Sequence, residues 1–235
     1  MNLKSSVKAH YDLLLARYPA LEPQECASPA APARYPALEP QGKHILAMFD
    51  TMARAYYDGG KLLVCGNGGS CADSEHIVGE LMKCFLIRRP IDDSLYSALS
   101  QYGDDGEALK ANLEGALPAI SLCGHSALTT AYLNDTEPTM TFAQQVVGYG
   151  RRGDVLLAIS TSGNSKNCVY AATVAKAMGL KVLALTGEKS SKLSALADVT
   201  VQAPSSETFK IQEYHLPIYH ALCAMLEAEF FGGTA

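Results

Sequence analysis

The chain has 235 residues, of which 48% are hydrophobic and 18% charged, enough to bury the core of one domain. Its net charge of −5 argues against nucleic acid or an anionic membrane as the main partner and leaves at most a local basic patch such as Arg88–Arg89. No stretch is apolar over the roughly 18 residues of a membrane span, and the N-terminus lacks the apolar segment of a secretion signal. Seven scattered cysteines without CxxC pairs favour reduced thiols, so we expect a cytoplasmic protein.

The first forty residues are predicted to form a helix and a linker. Apolar positions in residues 1–17 have helical spacing, and the segment ARYPALEP at 16–23 recurs at 33–40 around an Ala- and Pro-rich filler. This repeat is too short for a solenoid unit and its prolines interrupt a helix, so we interpret it as a duplicated surface linker without function. A single domain is predicted over residues 41–235.

From residue 41 onwards, apolar strands alternate with amphipathic helices. Strands are predicted at 61–65, 118–123, 154–160, 181–187 and 198–204, and helices at 44–60, 71–86, 125–133, 138–149, 166–178 and 207–231. The polar, acidic segment 88–116 is predicted to be a helical insertion on the surface. This alternation predicts an α/β fold in which a five-stranded parallel sheet lies between helices on both faces. Ligands of such sheets bind beyond the carboxyl ends of the strands.

Two loops rich in glycine and hydroxyl groups follow the first and third predicted strands, GNGGS at 66–70 and STSGNS at 160–165. The second loop precedes a helix, whose N-terminus favours an anion. Several hydrogen bonds from hydroxyl groups can hold a phosphate monoester without a lysine. The candidate contacts are Asn67, Gly68, Ser70, Ser160, Thr161, Ser162 and Ser165.

Other interpretations of these loops remain open at this point. Ser, Thr, Asn and Gly also favour helix caps and turns, so either loop can be purely structural. Nucleotide sites are disfavoured, because neither loop has the GK[ST] of a Walker loop and Cys71 stands where the dinucleotide fingerprint requires its last glycine.

A second set of residues has the spacing of a metal or acid–base site. His76 and Glu80 are four apart on one helix face, and Gln212 and His220 are eight apart, about 80° around an ideal helix. His215 and His220 are five apart, about 140° around an ideal helix, so His215 is not expected to share the site of His220. Two histidines with a carboxylate and an amide suit a divalent ion, zinc first. The residues alone also allow His76 and Glu80 to be a surface pair and His220 a core histidine.

Together, the segments CGNGGS, HIVGE, ND at 134–135, GDVLLAISTSGNS, ALTG and KIQEYHLPIYH resemble the sugar-isomerase (SIS) domain family and, within it, the phosphoheptose isomerases. The resemblance covers roughly residues 41–231, with the motifs in the family's order. It implies a single SIS-type domain built as a three-layer sandwich. It also implies a homotetrameric enzyme that isomerises sedoheptulose 7-phosphate to D-glycero-D-manno-heptose 7-phosphate through an enediol, the first step towards nucleotide-activated heptose.

The resemblance also implies roles for individual residues. It makes Glu80 the group that moves the carbon proton and His220 the group that moves the oxygen proton, with Asp135 facing the substrate. At Cys84, where familiar members often have arginine, this chain departs from the pattern, and Lys83 is adjacent. The implied ligands of one zinc ion per subunit are His76, Glu80, Gln212 and His220, and the loops hold the sugar phosphate.

Two alternatives to this enzyme are a non-catalytic SIS module that binds a sugar phosphate or a protein partner, and an isomerase for another sugar phosphate. Binding modules often lack part of the metal and acid–base set. The complete set in this chain therefore favours the phosphoheptose isomerase.

Overall fold

The computed structural model describes residues 7–10 and 35–232. Five strands form one parallel sheet, as predicted, and the structure gives their order as β2-β1-β3-β4-β5. They are β1 Leu62–Gly66, β2 Ala119–Ser121, β3 Val155–Ile159, β4 Lys181–Thr186 and β5 Val199–Gln202. Every residue of β1 and β3 is buried, which is why these strands are continuously apolar instead of alternating.

Helices connect the strands and cover both faces of the sheet. They are α1 Gly42–Tyr57, α2 Gly69–Met82, α3 Asp93–Leu99, α4 Gly103–Asn112, α5 Ser126–Asp135, α6 Thr141–Tyr149, α7 Lys166–Met178, α8 Lys192–Leu196 and α9 Thr208–Phe231. Short 3₁₀ turns occur at Pro36–Gln41, Ser100–Tyr102 and Pro138–Met140. In the described ranges, no helix combines the length and the apolar character that crossing a bilayer requires.

Two hydrophobic cores lie on opposite faces of the sheet. One contains Leu62 and Val64 of β1 and packs against α1, α9 and one side of α2. The other contains Leu63 and Cys65 of the same strand and packs against α6, α7 and α8. Because successive side chains of a strand point to opposite faces, strands β1 to β4 contribute to both cores, whereas β5 at the edge contributes to the first core alone. The predicted three-layer sandwich is confirmed.

The strand order places the two hydroxyl-rich loops side by side. After β1 the chain crosses to β2 on one flank, and it then returns to β3 on the other flank, so that the direction of winding reverses between β1 and β3. Gly66 at the end of β1 pairs with Ile159 at the end of β3. Ligands of open α/β sheets bind at such a switch point.

Several predicted boundaries differ from the structure. The helix predicted at 71–86 begins earlier, at Gly69, and ends at Met82, because the amides of residues 85–87 turn to the buried carboxylate of Glu227. The helix predicted at 138–149 is divided into the 3₁₀ turn Pro138–Met140 and α6. The short helix α8 was missed, since its five residues have too little periodicity to be recognised.

The duplicated segment is described only in its second copy. Residues 7–10 are helical, whereas the rest of the predicted helix at 1–17 and the first copy of ARYPALEP lie outside the described residues. In the second copy, Leu38 is fully buried in the core beside α1 and α9, so the expectation of a surface linker is wrong for this residue. The domain boundary at residue 40 and the interpretation of 88–116 as an insertion stay predictions.

Candidate active site

The first loop leads directly from β1 into α2 and touches the last helix of the chain. Gly68 has φ +57°, a conformation that favours glycine, and Ser70 is buried. A Cβ on Gly69 would lie 2.5 Å from Nε2 of Gln212, so the Gln212 amide lies directly against the loop. The structure thus brings Gln212 to the first loop, although the two are distant in sequence.

The second loop is held to the first by a pair of amides. The Nδ2 of Asn67 donates to Oδ1 of Asn167 over 2.9 Å, and the Nδ2 of Asn167 donates back to Oδ1 of Asn67 over 2.8 Å. Within the second loop, the hydroxyls of Ser160 and Ser165 are 3.0 Å apart. Asn167 was missed in the sequence because it follows the hydroxyl cluster and reads as an ordinary residue of the first turn of α7.

The remaining residues of the second loop are placed by backbone contacts. The carbonyl of Thr161 accepts a hydrogen bond from the amide of Gly187 at 3.0 Å, and the exposed hydroxyl of Ser162 accepts one from the amide of Asn164 at 3.2 Å. Gly163 has φ +63° and lies so close to Ser191 that a Cβ would be 2.1 Å from its Oγ. The loop therefore has a fixed shape that depends on glycine at position 163.

Three of the predicted metal and acid–base residues converge at the side of this switch point. Nε2 of His76 lies 3.1 Å from Oε1 of Glu80 and 3.5 Å from Nε2 of His220. His220 is half-buried and its ring packs edge-on against that of His76, with centroids 4.9 Å apart. The structure therefore places His220 beside the pair of His76 and Glu80, in which His76 is exposed, and the assignment of these residues to a metal or acid–base site stays a prediction. His215, by contrast, is buried elsewhere and contacts the carbonyl of Thr186.

Charged and titratable groups surround both His220 and Glu80. Burial lowers the pKa of His220, the neighbouring His76 lowers it further, and Glu80 acts in the opposite direction. The Nζ of Lys83 lies 3.4 Å from the second carboxylate oxygen of Glu80 and donates to the carbonyl of Cys84 at 2.9 Å. Each oxygen of Glu80 thus faces a different nitrogen, one from His76 and one from Lys83.

A tyrosine and an aspartate lie behind His76. Tyr219 is buried, and its hydroxyl is 3.1 Å from Nδ1 of His76 and donates to Oδ1 of Asp73 at 3.2 Å. Burial and the nearby Asp73 raise the pKa of Tyr219, and burial raises the pKa of Asp73. Neither residue is recognisable in the sequence, because a tyrosine beside a histidine in an apolar helix is typical of a buried core.

The C-terminal end of α2, just beyond Glu80, is held by a buried ion pair. Arg89 and Glu227 are both 0% exposed, and Nε of Arg89 donates to Glu227 over 2.8 Å. The other two guanidinium nitrogens donate to the carbonyls of Leu81 at 2.7 Å and Glu80 at 2.8 Å. The suggestion of a surface patch at Arg88–Arg89 is therefore wrong for Arg89, whose charge is enclosed in the protein.

The hydrogen bond that Asp135 makes does not lead to either loop. It is exposed at the end of α5, and its carboxylate accepts a hydrogen bond from Asn134 at 2.7 Å. Its neighbourhood does approach the second loop, because Glu137 lies 3.9 Å from the Nζ of Lys166, the first residue of α7. A substrate contact of Asp135 stays a prediction.

A five-stranded parallel sheet with paired hydroxyl-rich loops at its switch point is the arrangement expected of a SIS domain. A sequence model described as the SIS domain matches residues 33–112 and 111–187 of this chain. The match includes both loops and the helix that carries His76 and Glu80.

Within the SIS domain family, the similar sequences and the similar solved structures are both phosphoheptose isomerases. Phosphoheptose isomerases of Akkermansia muciniphila and Thermodesulfovibrio yellowstonii are 35% and 36% identical, and the alignments cover 74% and 77% of this chain and 79% and 78% of those proteins. The solved phosphoheptose isomerase of Francisella tularensis superposes with a TM-score of 0.65 at 32% identity, over 78% of this chain and 85% of that one. The corresponding structure from Neisseria gonorrhoeae gives 0.64 at 30% identity, over 80% and 87%. The chain therefore belongs to the SIS domain family and, within it, to the phosphoheptose isomerases.

Proposed function

We propose that this protein is an aldose–ketose isomerase that converts sedoheptulose 7-phosphate to D-glycero-D-manno-heptose 7-phosphate, the first step towards nucleotide-activated heptose. The observation that carries the proposal is that Nε2 of His76 lies 3.1 Å from Glu80 and 3.5 Å from His220, in the domain that carries the two hydroxyl-rich loops. The family of its relatives supports the choice of substrate.

The two loops would hold the phosphate of the substrate. Ser160, Thr161, Ser162 and Ser165 precede α7, and the first amides of a helix have no carbonyl four residues earlier in the same helix to bind. The reciprocal amides of Asn67 and Asn167 fix the distance between this loop and the one that carries Ser70. Binding free energy from the phosphate then serves to place the opposite end of the sugar against Glu80 and His220.

The chemistry requires a proton to move between two carbons and another to move between their oxygens. Glu80 takes the proton from C1 of the ketose and returns it to C2, through an enediol. His220 accepts the proton of the C1 hydroxyl and delivers it to the C2 oxygen, a transfer for which imidazole is suited. Because Oε1 and Oε2 of Glu80 face different groups, one oxygen can bind a cation while the other acts as base.

The types of donor in His76, Glu80, Gln212 and His220 would suit a zinc ion. Ligands at 2.0–2.1 Å in a tetrahedron are about 3.3 Å from one another, and the distances from His76 Nε2 to Glu80 Oε1 and His220 Nε2 are 3.1 and 3.5 Å. Between residues 35 and 232 and in 7–10, no group of three or more His, Cys, Asp or Glu side chains is arranged so that it could hold a metal ion, so the proposal depends on these pair distances and on Gln212 as a further ligand. The chemistry that bound zinc supplies is polarisation of the substrate carbonyl.

The assembly and location are proposed on similar grounds. We infer a homotetramer, in which the apolar residues Phe209 and Leu216, exposed on α9, and parts of α1 are covered by other subunits. We infer the cytoplasm because the six cysteines in the described ranges are all free thiols.

The decisive experiment is turnover of sedoheptulose 7-phosphate in D₂O, followed by NMR, with zinc-loaded and chelator-stripped protein. Deuterium entering at C2 of an aldoheptose phosphate, in the loaded protein only, is the expected result. Glu80→Gln should abolish turnover and retain sugar-phosphate binding, whereas Glu75→Gln, an exposed control on the same helix, should leave both unchanged. Sugar-phosphate binding without product in the wild type would instead favour another substrate or a binding module.

A further inference from the structure

A chain of three polar groups runs from His76 into the protein interior, away from Glu80. Nδ1 of His76 is 3.1 Å from the hydroxyl of Tyr219, and this hydroxyl is 3.2 Å from Oδ1 of Asp73. Asp73 precedes His76 by three residues and so lies on the same face of α2, while Tyr219 comes from α9. The chain therefore joins the two helices that supply the site.

The donor inventory of these groups fixes the direction of both hydrogen bonds. An ionised carboxylate only accepts, so the single proton of the Tyr219 phenol is donated to Asp73. The phenol oxygen can then only accept from His76, which requires the proton of the neutral imidazole to be on Nδ1. In this tautomer Nε2 of His76 keeps its lone pair and faces Glu80 and His220, so the hydrogen bond to Tyr219 has to outweigh the attraction of the Glu80 carboxylate, an acceptor 3.1 Å from Nε2, for the same proton.

We propose that Tyr219 and Asp73 are positioning residues that hold His76 in the Nδ1–H tautomer, with Nε2 presented to the site as a ligand. The inference rests on the proposed function, since it gives His76 its role there. Histidines that bind metals commonly donate their other N–H to a partner that fixes the ring, and loss of such a partner weakens metal affinity about 10–100-fold.

Packing of the phenyl ring alone does not account for this arrangement. The Tyr219 ring lies edge-on to both imidazoles, with centroids 5.5 Å from His76 and 5.0 Å from His220, and a phenylalanine would keep these contacts. Only the hydroxyl reaches both Nδ1 of His76 and the carboxylate of Asp73. Tyr219→Phe therefore separates positioning from packing.

The test uses the full chain and two readouts that do not depend on turnover. In metal-free protein, long-range ¹H–¹⁵N NMR of His76 should show the Nδ1–H tautomer, and Tyr219→Phe should convert it to a mixture. Zinc affinity, measured by competition with a chromogenic chelator, should fall about 10–100-fold in the variant. Tyr214→Phe, on the same helix and without these two partners, is the matched control and should match the wild type in both measurements. Equal urea midpoints of the two variants will show that the fold is intact.

The outcomes distinguish this inference from the proposed function. If Tyr219→Phe keeps the Nδ1–H tautomer of His76 and binds zinc within twofold of the wild type, the inference is overturned. If the wild type does not isomerise the heptose phosphate, the proposed function fails, and the tautomer of His76 in the two proteins still decides the inference. A change of tautomer in Tyr219→Phe alone supports it in either case.

Discussion

Replacement of Arg89 by alanine is predicted to destabilise the protein strongly, although Arg89 lies outside the loops and ligands of the site. The guanidinium donates one hydrogen bond to Glu227 and one each to the carbonyls of Leu81 and Glu80. Glu227 in turn accepts the amides of residues 85–87, so that the segment after α2 is folded around this carboxylate. Both side chains are fully buried.

The magnitude follows from what Arg89→Ala leaves behind. The charge of Glu227 stays buried with backbone donors but without its countercharge, and removal of one partner of a buried pair costs about 3–5 kcal/mol. For a chain of this size, 1 kcal/mol shifts the thermal midpoint by about 2–4 °C. We therefore expect the midpoint to fall by roughly 6–20 °C.

Urea unfolding followed by circular dichroism, at one fixed protein concentration, measures this loss. Lys210→Ala is the matched control, because its ion pair with Glu207 is exposed and such pairs are screened by solvent. The control should leave the urea midpoint nearly unchanged. A loss below about 1 kcal/mol for Arg89→Ala would refute the reasoning, since it would mean that the buried pair contributes no more than a surface pair.

Two further predictions concern His215 and Gly163. Burial lowers the pKa of His215 from 6.5 to about 4, so stability is unaffected by this group above pH 6.5 and falls as the pH drops towards 4, because only the unfolded chain takes up the proton. At pH 4 the loss in the free energy of unfolding reaches about 3 kcal/mol. His215→Gln can still donate to the carbonyl of Thr186, and it should remove this part of the pH dependence, measured by urea unfolding at a series of pH values. Gly163→Ala places a Cβ 2.1 Å from Oγ of Ser191 at a φ of +63°, and it should raise KM for the sugar phosphate at least tenfold. Gly148→Ala is the control, because a Cβ there meets open space, and it should leave KM unchanged. Equal KM values for the two variants would contradict the fixed shape of the second loop.

The parts of the fold that sequence predicts well are those that a local pattern specifies. The sheet follows from apolar runs such as LLVCG and VLLAI, and the loops follow from glycine and hydroxyl residues directly after them. Arg89 was misjudged because a charged residue is normally exposed, and its burial depends on Glu227, 138 residues later. Tyr219 and Asp73 could not be recognised either, because their contact requires the crossing of α2 and α9.

Helix α2 connects the features that sequence analysis treats separately. It begins in the first loop, carries Asp73, His76 and Glu80 on one face, and ends where Arg89 binds its last carbonyls. At 1.5 Å per residue, the rise from Ser70 to His76 is about 9 Å. A rigid helix with both ends fixed therefore sets a constant distance between the phosphate loops and the acid–base pair. Under the proposed function, this distance selects a sugar phosphate long enough to reach both, because a shorter one that is held by its phosphate leaves its carbonyl out of reach of Glu80.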